Sequence, residues 1–171
     1  LTANTTASYN IAIGDSAMGS NTTGTQNIAI GQDALATMST SSYNTGVGYQ
    51  ALKANSTAQE NAAFGTDALL ATTTGGRNTA LGAYTLSSNT TAQDNVAAGY
   101  VALNANTEGH SNTAVGSEAG KAITTGDENV AIGHGALDGA TTVNGNTAVG
   151  TDTMGSASYA GGNNTAIGYN A

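Results

Sequence analysis

Carboxylates that could serve as a general acid and base recur at multiples of one fixed interval along this sequence. Asp33, Asp67, Glu118 and Asp152 are separated by multiples of 17 residues, so a structure with this period places them in one row. Enzymes that cleave glycosidic bonds need two such groups flanking one bond. Here the acids fall on non-adjacent repeats, at least ~10 Å apart if repeats stack at the usual strand spacing. We therefore expect solvated turn residues, no catalytic residues and no enzyme.

Residues that could bind a metal ion are equally sparse. The sequence contains no cysteine, and its two histidines, His110 and His134, lie at different phases of the repeat without other ligands beside them. Neither a metal site within one chain nor a cofactor is expected. One arrangement stays open, in which a histidine meets its symmetry mates on a threefold axis.

Four asparagines begin the acceptor pattern for N-glycosylation, and each occupies the same phase of the repeat: Asn4, Asn21, Asn55 and Asn89. The pattern marks a possible modification site. In a chain rich in asparagine and threonine it also arises freely, and the interpretation we favour is a hydrogen-bonded turn.

All these residues are positioned by a repeat that runs through the whole chain. Asparagine recurs every 17 residues from Asn10 to Asn146 and once more, after a step of 18, at Asn164. We number the repeat from this asparagine, which is position 1. A fixed period of this kind indicates a solenoid, in which each unit buries its apolar face against its neighbours.

Two columns of the repeat carry the strongest structural signal. Position 5 is always glycine, which predicts a turn at Gly14, Gly31, Gly48, Gly65, Gly82, Gly99, Gly116, Gly133, Gly150 and Gly168. Position 4 is apolar, and we predict that it supplies the core through Ile13, Ile30, Val47, Phe64, Leu81, Val115, Ile132, Val149 and Ile167. Position 3 is alanine except at Gly46. This alanine column either packs against another chain or fills a narrow interior while position 4 faces the partner.

Local patterns within the repeat predict strands and turns. Segments such as "NTAIG" are β-branched with apolar residues two apart, and clusters of Thr, Asn, Gly and Ser between them indicate turns. Helices of six or seven residues would be marginal. We predict an all-β protein, a parallel β-solenoid of about ten 17-residue coils with two short strands each, and residues 1–171 forming one array. The position-1 asparagines should then stack into a ladder.

Composition restricts the partners. Eleven acidic residues against three basic ones give a net charge of −8, which argues against binding to nucleic acid or to an anionic membrane. No stretch is typical of a signal peptide or of a membrane-spanning helix. Because the chain begins with Leu1 rather than methionine, we expect it to be a segment of a longer fibre.

The motif "NIAIG" followed by "xxAL" resembles the head repeat of trimeric autotransporter adhesins, the YadA-like family, and similar repeats of bacteriophage tail fibres. The resemblance covers the whole chain, although the repeat here is longer than the usual adhesin repeat. It implies a left-handed β-roll, three rolls packed into a trimer, and a surface that adheres to a host matrix or receptor.

The combined expectation is a structural or adhesive rod segment of an extracellular fibre, filament or phage tail fibre, located outside the cell, on its surface or on a virion. Its partners would be further copies of itself, as a lateral trimer or an end-to-end filament, and a host surface protein or glycan. The end of the chain, "NTAIGYNA", followed by the start, "LTANTTASY", would complete one coil. An ice-binding solenoid is the alternative, although adjacent threonines point to opposite faces of a strand.

Overall fold

The computed structural model describes residues 3–156 and 161–171. Ten three-residue strands, β1 to β10, follow one another along the chain and are Ile11–Ile13, Ile28–Ile30, Thr45–Val47, Ala62–Phe64, Thr79–Leu81, Val96–Ala98, Thr113–Val115, Val130–Ile132, Thr147–Val149 and Thr165–Ile167. Each strand covers positions 2 to 4 of one repeat. The described residues contain no helix, and therefore none able to cross a membrane.

All ten strands form one parallel sheet in sequence order. Each strand residue pairs with the residue one repeat further on, as Thr79 does with Val96, and the extra residue of the last repeat shifts the pairing only to Thr147 with Thr165. The predicted parallel β-solenoid is therefore confirmed. At ~4.8 Å per strand, ten coils make a rod about 48 Å long.

Only one of the two strands predicted for each coil forms. Positions 7, 9 and 17 instead adopt the left-handed region, with φ between 47° and 67°, for example at Asp67, Leu69 and Arg77; in the 18-residue repeat, position 18 (Asn163) takes the place of position 17. Three left-handed residues bend the backbone too sharply for a second extended segment. Coil-to-coil hydrogen bonds nevertheless continue there, as from Leu69 N–H to the carbonyl of Thr85 at 3.0 Å.

The position-5 glycines lie directly after each strand with φ between 128° and 144°. Residues with a Cβ rarely adopt this conformation. Space excludes a side chain as well, because a Cβ on Gly82 would lie 2.6 Å from the carbonyl oxygen of Gly99 in the next coil. The turn therefore requires glycine for both its dihedral angle and its close stacking.

The core lies on the opposite side of the strands from the one we predicted. In the coils between the two ends, the alanines at positions 3 and 8 and the large residues at position 9, such as Leu35, Leu52, Leu69 and Leu103, are buried. The position-4 side chains assigned to the core point outward and are half-buried or exposed: Ile13, Ile30, Val47, Phe64, Leu81, Val115, Ile132, Val149 and Ile167.

This reversal follows from the width of the coil. Side chains alternate between the two faces of a strand, so position 3 and position 4 cannot both point inward. The leucine at position 9 already fills the interior, and only alanine fits opposite it. Of the two interpretations open from the sequence, the structure matches the narrow, alanine-filled interior.

Asparagine ladders replace part of the apolar core. The position-1 side chains from Asn27 to Asn146 are buried, and each Oδ1 accepts hydrogen bonds from the next asparagine of the column. Asn44, for example, donates to Asn27 through its backbone N–H at 2.9 Å and through Nδ2 at 3.3 Å. A buried amide is tolerated only when hydrogen-bonded, and the in-register stacking of coils provides those bonds.

The hydroxyl column at position 13 adds a second ladder. Thr73 Oγ1 donates to the carbonyl of Thr90 at 3.1 Å, and Ser56 Oγ donates to that of Thr73 at 3.0 Å. Ser158 of the same column lies outside the described residues. The neighbouring position-14 side chains, mostly threonine, face the solvent.

Candidate functional site

One regular surface is the outer face of the sheet, which we define as the side chains at positions 2 and 4 of the ten strands. None of these twenty residues is charged, in a chain of net charge −8. Position 2 carries Ile, Val, Ala or Thr, and position 4 carries mostly large apolar residues. Phe64 is 42 % exposed and Leu81 45 %.

The parallel register makes this face a regular strip. Neighbouring coils are ~4.8 Å apart along the rod, and a three-residue strand is about 10 Å long, so the outer face covers about 500 Å². Half of the position-2 side chains are threonine, so the strip is uncharged but not wholly apolar. Its exposed large apolar residues at position 4 are of the kind that mark binding surfaces. A surface of this kind can exclude water and pack against a flat partner, but it offers no groups for acid–base chemistry.

The position-7 acids do not converge. Asp33 pairs with Lys53 (Oδ2–Nζ 3.1 Å), and Glu118 pairs with Lys121 (Oε2–Nζ 2.8 Å). The hydrogen bond from Lys121 lowers the pKa of Glu118, so this carboxyl is held in the charged form. Asp67 belongs to the same column, and its Oδ1 is buried without a hydrogen-bond partner among the described residues.

The remaining member, Asp152, lies 3.5 Å from Nδ1 of His134. His110 belongs to another column, where its Nδ1 accepts the backbone N–H of Gln93 at 3.0 Å. Among residues 3–156 and 161–171, no three histidine, aspartate or glutamate side chains come together in a way that could hold a metal ion.

The glycosylation motifs form turns. Asn21 accepts the Gly24 N–H at Oδ1 and donates from Nδ2 to the Gly24 carbonyl, both at 3.0 Å. Asn89 is held in the same way, whereas Asn55 keeps only the Nδ2 bond, to Ala58 O, and accepts Ser41 Oγ at Oδ1; both are fully buried, like Asn21. Glycosylation would attach a bulky group to this inward-facing Nδ2, so the structure argues against it at these three sites. Asn4 makes the same turn but is exposed.

Three consecutive coils carry charged side chains of alternating sign at position 17: Glu60, Arg77 and Asp94. Arg77 donates to Asp94 from Nε at 2.6 Å and from Nη2 at 2.9 Å, and also from Nη2 to Oε1 of Gln93 at 2.8 Å. The hydrogen bond from Arg77 lowers the pKa of Asp94, and its effect on Arg77 is reciprocal, raising the guanidinium pKa. Glu60 lies on the other side of Arg77, one coil back in the same row.

Sequence reasoning raised an outward-facing position 4 only as the alternative to a position-4 core, and it missed the contribution of Gln93. The outer face could have been recognised from the alternation of position 3, nearly invariant alanine, with the larger residues at positions 2 and 4, since an invariant small residue between large ones indicates the crowded side of a strand. The column of Gln93 varies from coil to coil and gave no such signal.

Comparisons with known proteins gave no match: no family model, no characterised protein and no solved structure matches this chain. The fold is therefore established by the structure alone, and the surface is the basis for the proposed function.

Proposed function

We propose that this chain is a non-enzymatic rod segment of an extracellular fibre, on a cell surface or a virion, whose copies associate side by side through the outer face of the sheet. The observation that carries the proposal is the uncharged strip of exposed position-4 side chains, which includes Ile30, Phe64, Leu81 and Ile132. Burying them against a second copy removes apolar area from water, which drives association.

The size of the strip supports a specific contact between two copies. About 500 Å² of sheet face on each copy gives about 1,000 Å² in total, the lower limit for a biological interface. Flanking side chains add to this area. The other faces carry the charge of the molecule, including Glu60, Asp94 and Glu118, and repulsion between them favours contact through the neutral strip.

The motif resemblance to YadA-like adhesins and phage tail-fibre repeats supports the finer parts of the proposal: a left-handed roll, three copies around a common axis, and attachment to a host surface protein or glycan. End-to-end growth is the other mode of self-association that the sequence suggests. Its junction would involve Leu1, which lies outside the described residues.

Sedimentation velocity tests the lateral contact. The wild-type chain should form dimers or trimers at micromolar concentration, whereas the double variant Leu81→Glu/Val115→Glu should be monomeric with an unchanged circular dichroism spectrum. Thr91→Glu, which adds a charge to the exposed threonine column, is the control and should associate normally. A wild-type chain that stays monomeric at high concentration would contradict the proposal.

Ice binding is the second candidate, because the exposed position-14 column carries threonine in consecutive coils, as at Thr57, Thr74 and Thr91. It has less support than the fibre function, since the threonines form a single row that Glu108 interrupts. Thermal hysteresis of the purified chain distinguishes the two candidates, and the fibre proposal expects none.

A further inference from the structure

A notch opens in the polar side of the rod, away from the outer face of the sheet. It has a volume of about 230 Å³ and is lined by Gln59, Glu60, Thr74, Gly76, Arg77 and Gln93. These residues come from three consecutive coils and from positions 14, 16 and 17 of the repeat.

The notch exists because a glycine lies between two glutamines at position 16 of consecutive coils. Position 16 is Gln59, Gly76 and Gln93 in consecutive coils, so the middle coil lacks the side chain that its neighbours carry. Gly76 is buried at the floor, and a Cβ there would lie 2.8 Å from the backbone oxygen of Gln59. The close stacking of the coils thus keeps the floor free of a side chain.

The walls carry donors and acceptors that the fold leaves available. Asp94 and Gln93 fix the Arg77 guanidinium by hydrogen bonds to Nε and Nη2. Arginine has five donor hydrogens, and the two on Nη1 have no partner among the described residues. On the opposite wall, Glu60 supplies carboxylate oxygens, and Thr74 adds a solvent-facing hydroxyl.

Charge restricts the ligand class. Arg77 lies between Glu60 and Asp94, so the local charge is −1, and with a net charge of −8 on the chain the site does not favour phosphate or sulfate. This negative charge would attract a cation, but the fixed guanidinium lies between the two carboxylates, and the described residues include no group of three acidic or histidine side chains that could hold a metal ion. Neutral groups that both donate and accept hydrogen bonds fit this mixture of carboxylate, guanidinium, amide and hydroxyl.

We propose that the notch at Gly76 binds one ring of a neutral saccharide. In this assignment Arg77 Nη1 donates to, and the Glu60 carboxylate accepts from, adjacent hydroxyls of the sugar. Tyr43 lies one coil before Glu60 in the position-17 row and is 54 % exposed, so its ring is available to the apolar face of the next sugar unit. The proposal deepens the adhesive part of the proposed function and does not need lateral association.

A single shallow ring site implies weak binding, with a Kd of about 1 mM. Several chains in one fibre would present several notches to the same glycan, and avidity would then compensate for the weakness of each site. Weak individual contacts suit a surface that has to engage reversibly.

The experiment is a titration of the full ¹⁵N-labelled chain, followed by the amide signals of Gly76 and Arg77. The probes are lactose, maltose and N,N′-diacetylchitobiose, with inorganic phosphate as the charged comparison. We expect saturable shifts with at least one disaccharide, and shifts with phosphate that are at least tenfold smaller or absent. Glu60→Gln and Arg77→Gln should each lose at least tenfold in affinity for the disaccharide. Glu128→Gln removes a carboxylate from the same row, remote from the notch, and should bind like wild type.

Any one of three results would overturn the assignment. The first is no saturable shift at Gly76 with any of the three disaccharides, and the second is equal binding by wild type and both notch variants. The third is tighter binding of phosphate than of sugar. Sedimentation of the same samples reports lateral association separately, so failure of the saccharide site and failure of the rod proposal are distinguishable.

Discussion

The Oδ1 atom of Asn78 accepts two hydrogen bonds from Asn95, one from its backbone N–H and one from its side-chain Nδ2, both at 3.1 Å. The Nδ2 of Asn78 in turn donates to the carbonyls of Gly76 at 3.2 Å and Ala92 at 2.9 Å. One buried side chain thus joins its own coil to both neighbouring coils. The same relationship recurs along the column and fixes which residue of each coil stacks on which.

Replacing Asn78 by alanine should be strongly destabilising. The substitution leaves the buried backbone N–H of Asn95 without its acceptor, and an unsatisfied buried donor costs about 1–3 kcal/mol. The other hydrogen bonds of the Asn78 side chain are lost as well, although their partners keep a second bond. We expect a total loss of about 3 kcal/mol, after relaxation, seen as a lower urea midpoint. Thr91→Ala, at an exposed position, should leave the midpoint unchanged. Equal midpoints for both variants would show that the ladder contributes little.

Substitutions at two leucines should distinguish residues that stabilise the fold from residues that drive self-association. Leu69 is fully buried and Leu81 is 45 % exposed. Leu69→Ala leaves a cavity in the core and should cost about 2–5 kcal/mol. Leu81→Ala should change the thermal unfolding of the monomer very little and should instead weaken self-association in sedimentation. The reverse pattern, in which Leu81→Ala is destabilising and Leu69→Ala is not, would show that position 4 belongs to the core.

Two substitutions at residues with positive φ, in neighbouring coils, should have opposite effects on stability. Gly82→Ala should prevent correct stacking, because the added Cβ collides with the carbonyl of Gly99. Val101 has a φ of 52°, which is unfavourable for a β-branched residue. Val101→Asn should therefore stabilise the chain by about 1 kcal/mol, since asparagine tolerates the left-handed region. Thermal unfolding of both variants checks the signs.

Ionisation of the Asp138 carboxyl should lower the free energy of unfolding as pH rises. Burial raises the pKa of Asp138 above the ordinary value of 3.8, and the charges of Asp152 and Glu118 raise it further. The folded state then holds this proton more tightly than the unfolded state, so its contribution to stability is complete below pH 3.8 and is lost as pH rises through the higher folded pKa.

Asp138→Asn removes this penalty and should melt at a higher temperature than wild type at pH 7, with the difference disappearing at pH 3. The depressed pKa values of Asp94 and Glu118 have the opposite sign but are common to both proteins. The difference between the two melting curves therefore isolates Asp138. A constant difference at both pH values would rule out the charge as its cause.

The period of the sequence was sufficient to predict the register, the asparagine ladder and the glycine turns, because each depends on one residue type recurring at one phase. It did not reveal which face of the strand is inside. Residues such as Ala80 and Leu81 are both apolar, and larger size at position 4 suggested the core. The interior is instead limited by Leu69 and its column, which fill it from the other side of the coil.

The second strand was wrongly predicted and the notch was missed, for related reasons. Left-handed φ at Asp67 and Leu69 follows from closing a 17-residue coil. Aspartate is enriched in this region but leucine is not, so the residue type at Leu69 gives no signal of it. The notch depends on Gly76 standing between Gln59 and Gln93. Variation within one column looks like noise in an alignment of repeats, yet it determines the local shape of the surface.

The parallel pairing of consecutive coils also determines how the rod responds to force. Backbone hydrogen bonds between coils run along the rod axis, so tension applied to the chain ends opens them one coil after another rather than shearing them together. Each released coil of 17 residues extends from ~4.8 Å to about 60 Å, roughly a twelvefold lengthening. A fibre built from such coils would yield gradually under load, dissipating the pull of a moving surface while the remaining coils stay folded.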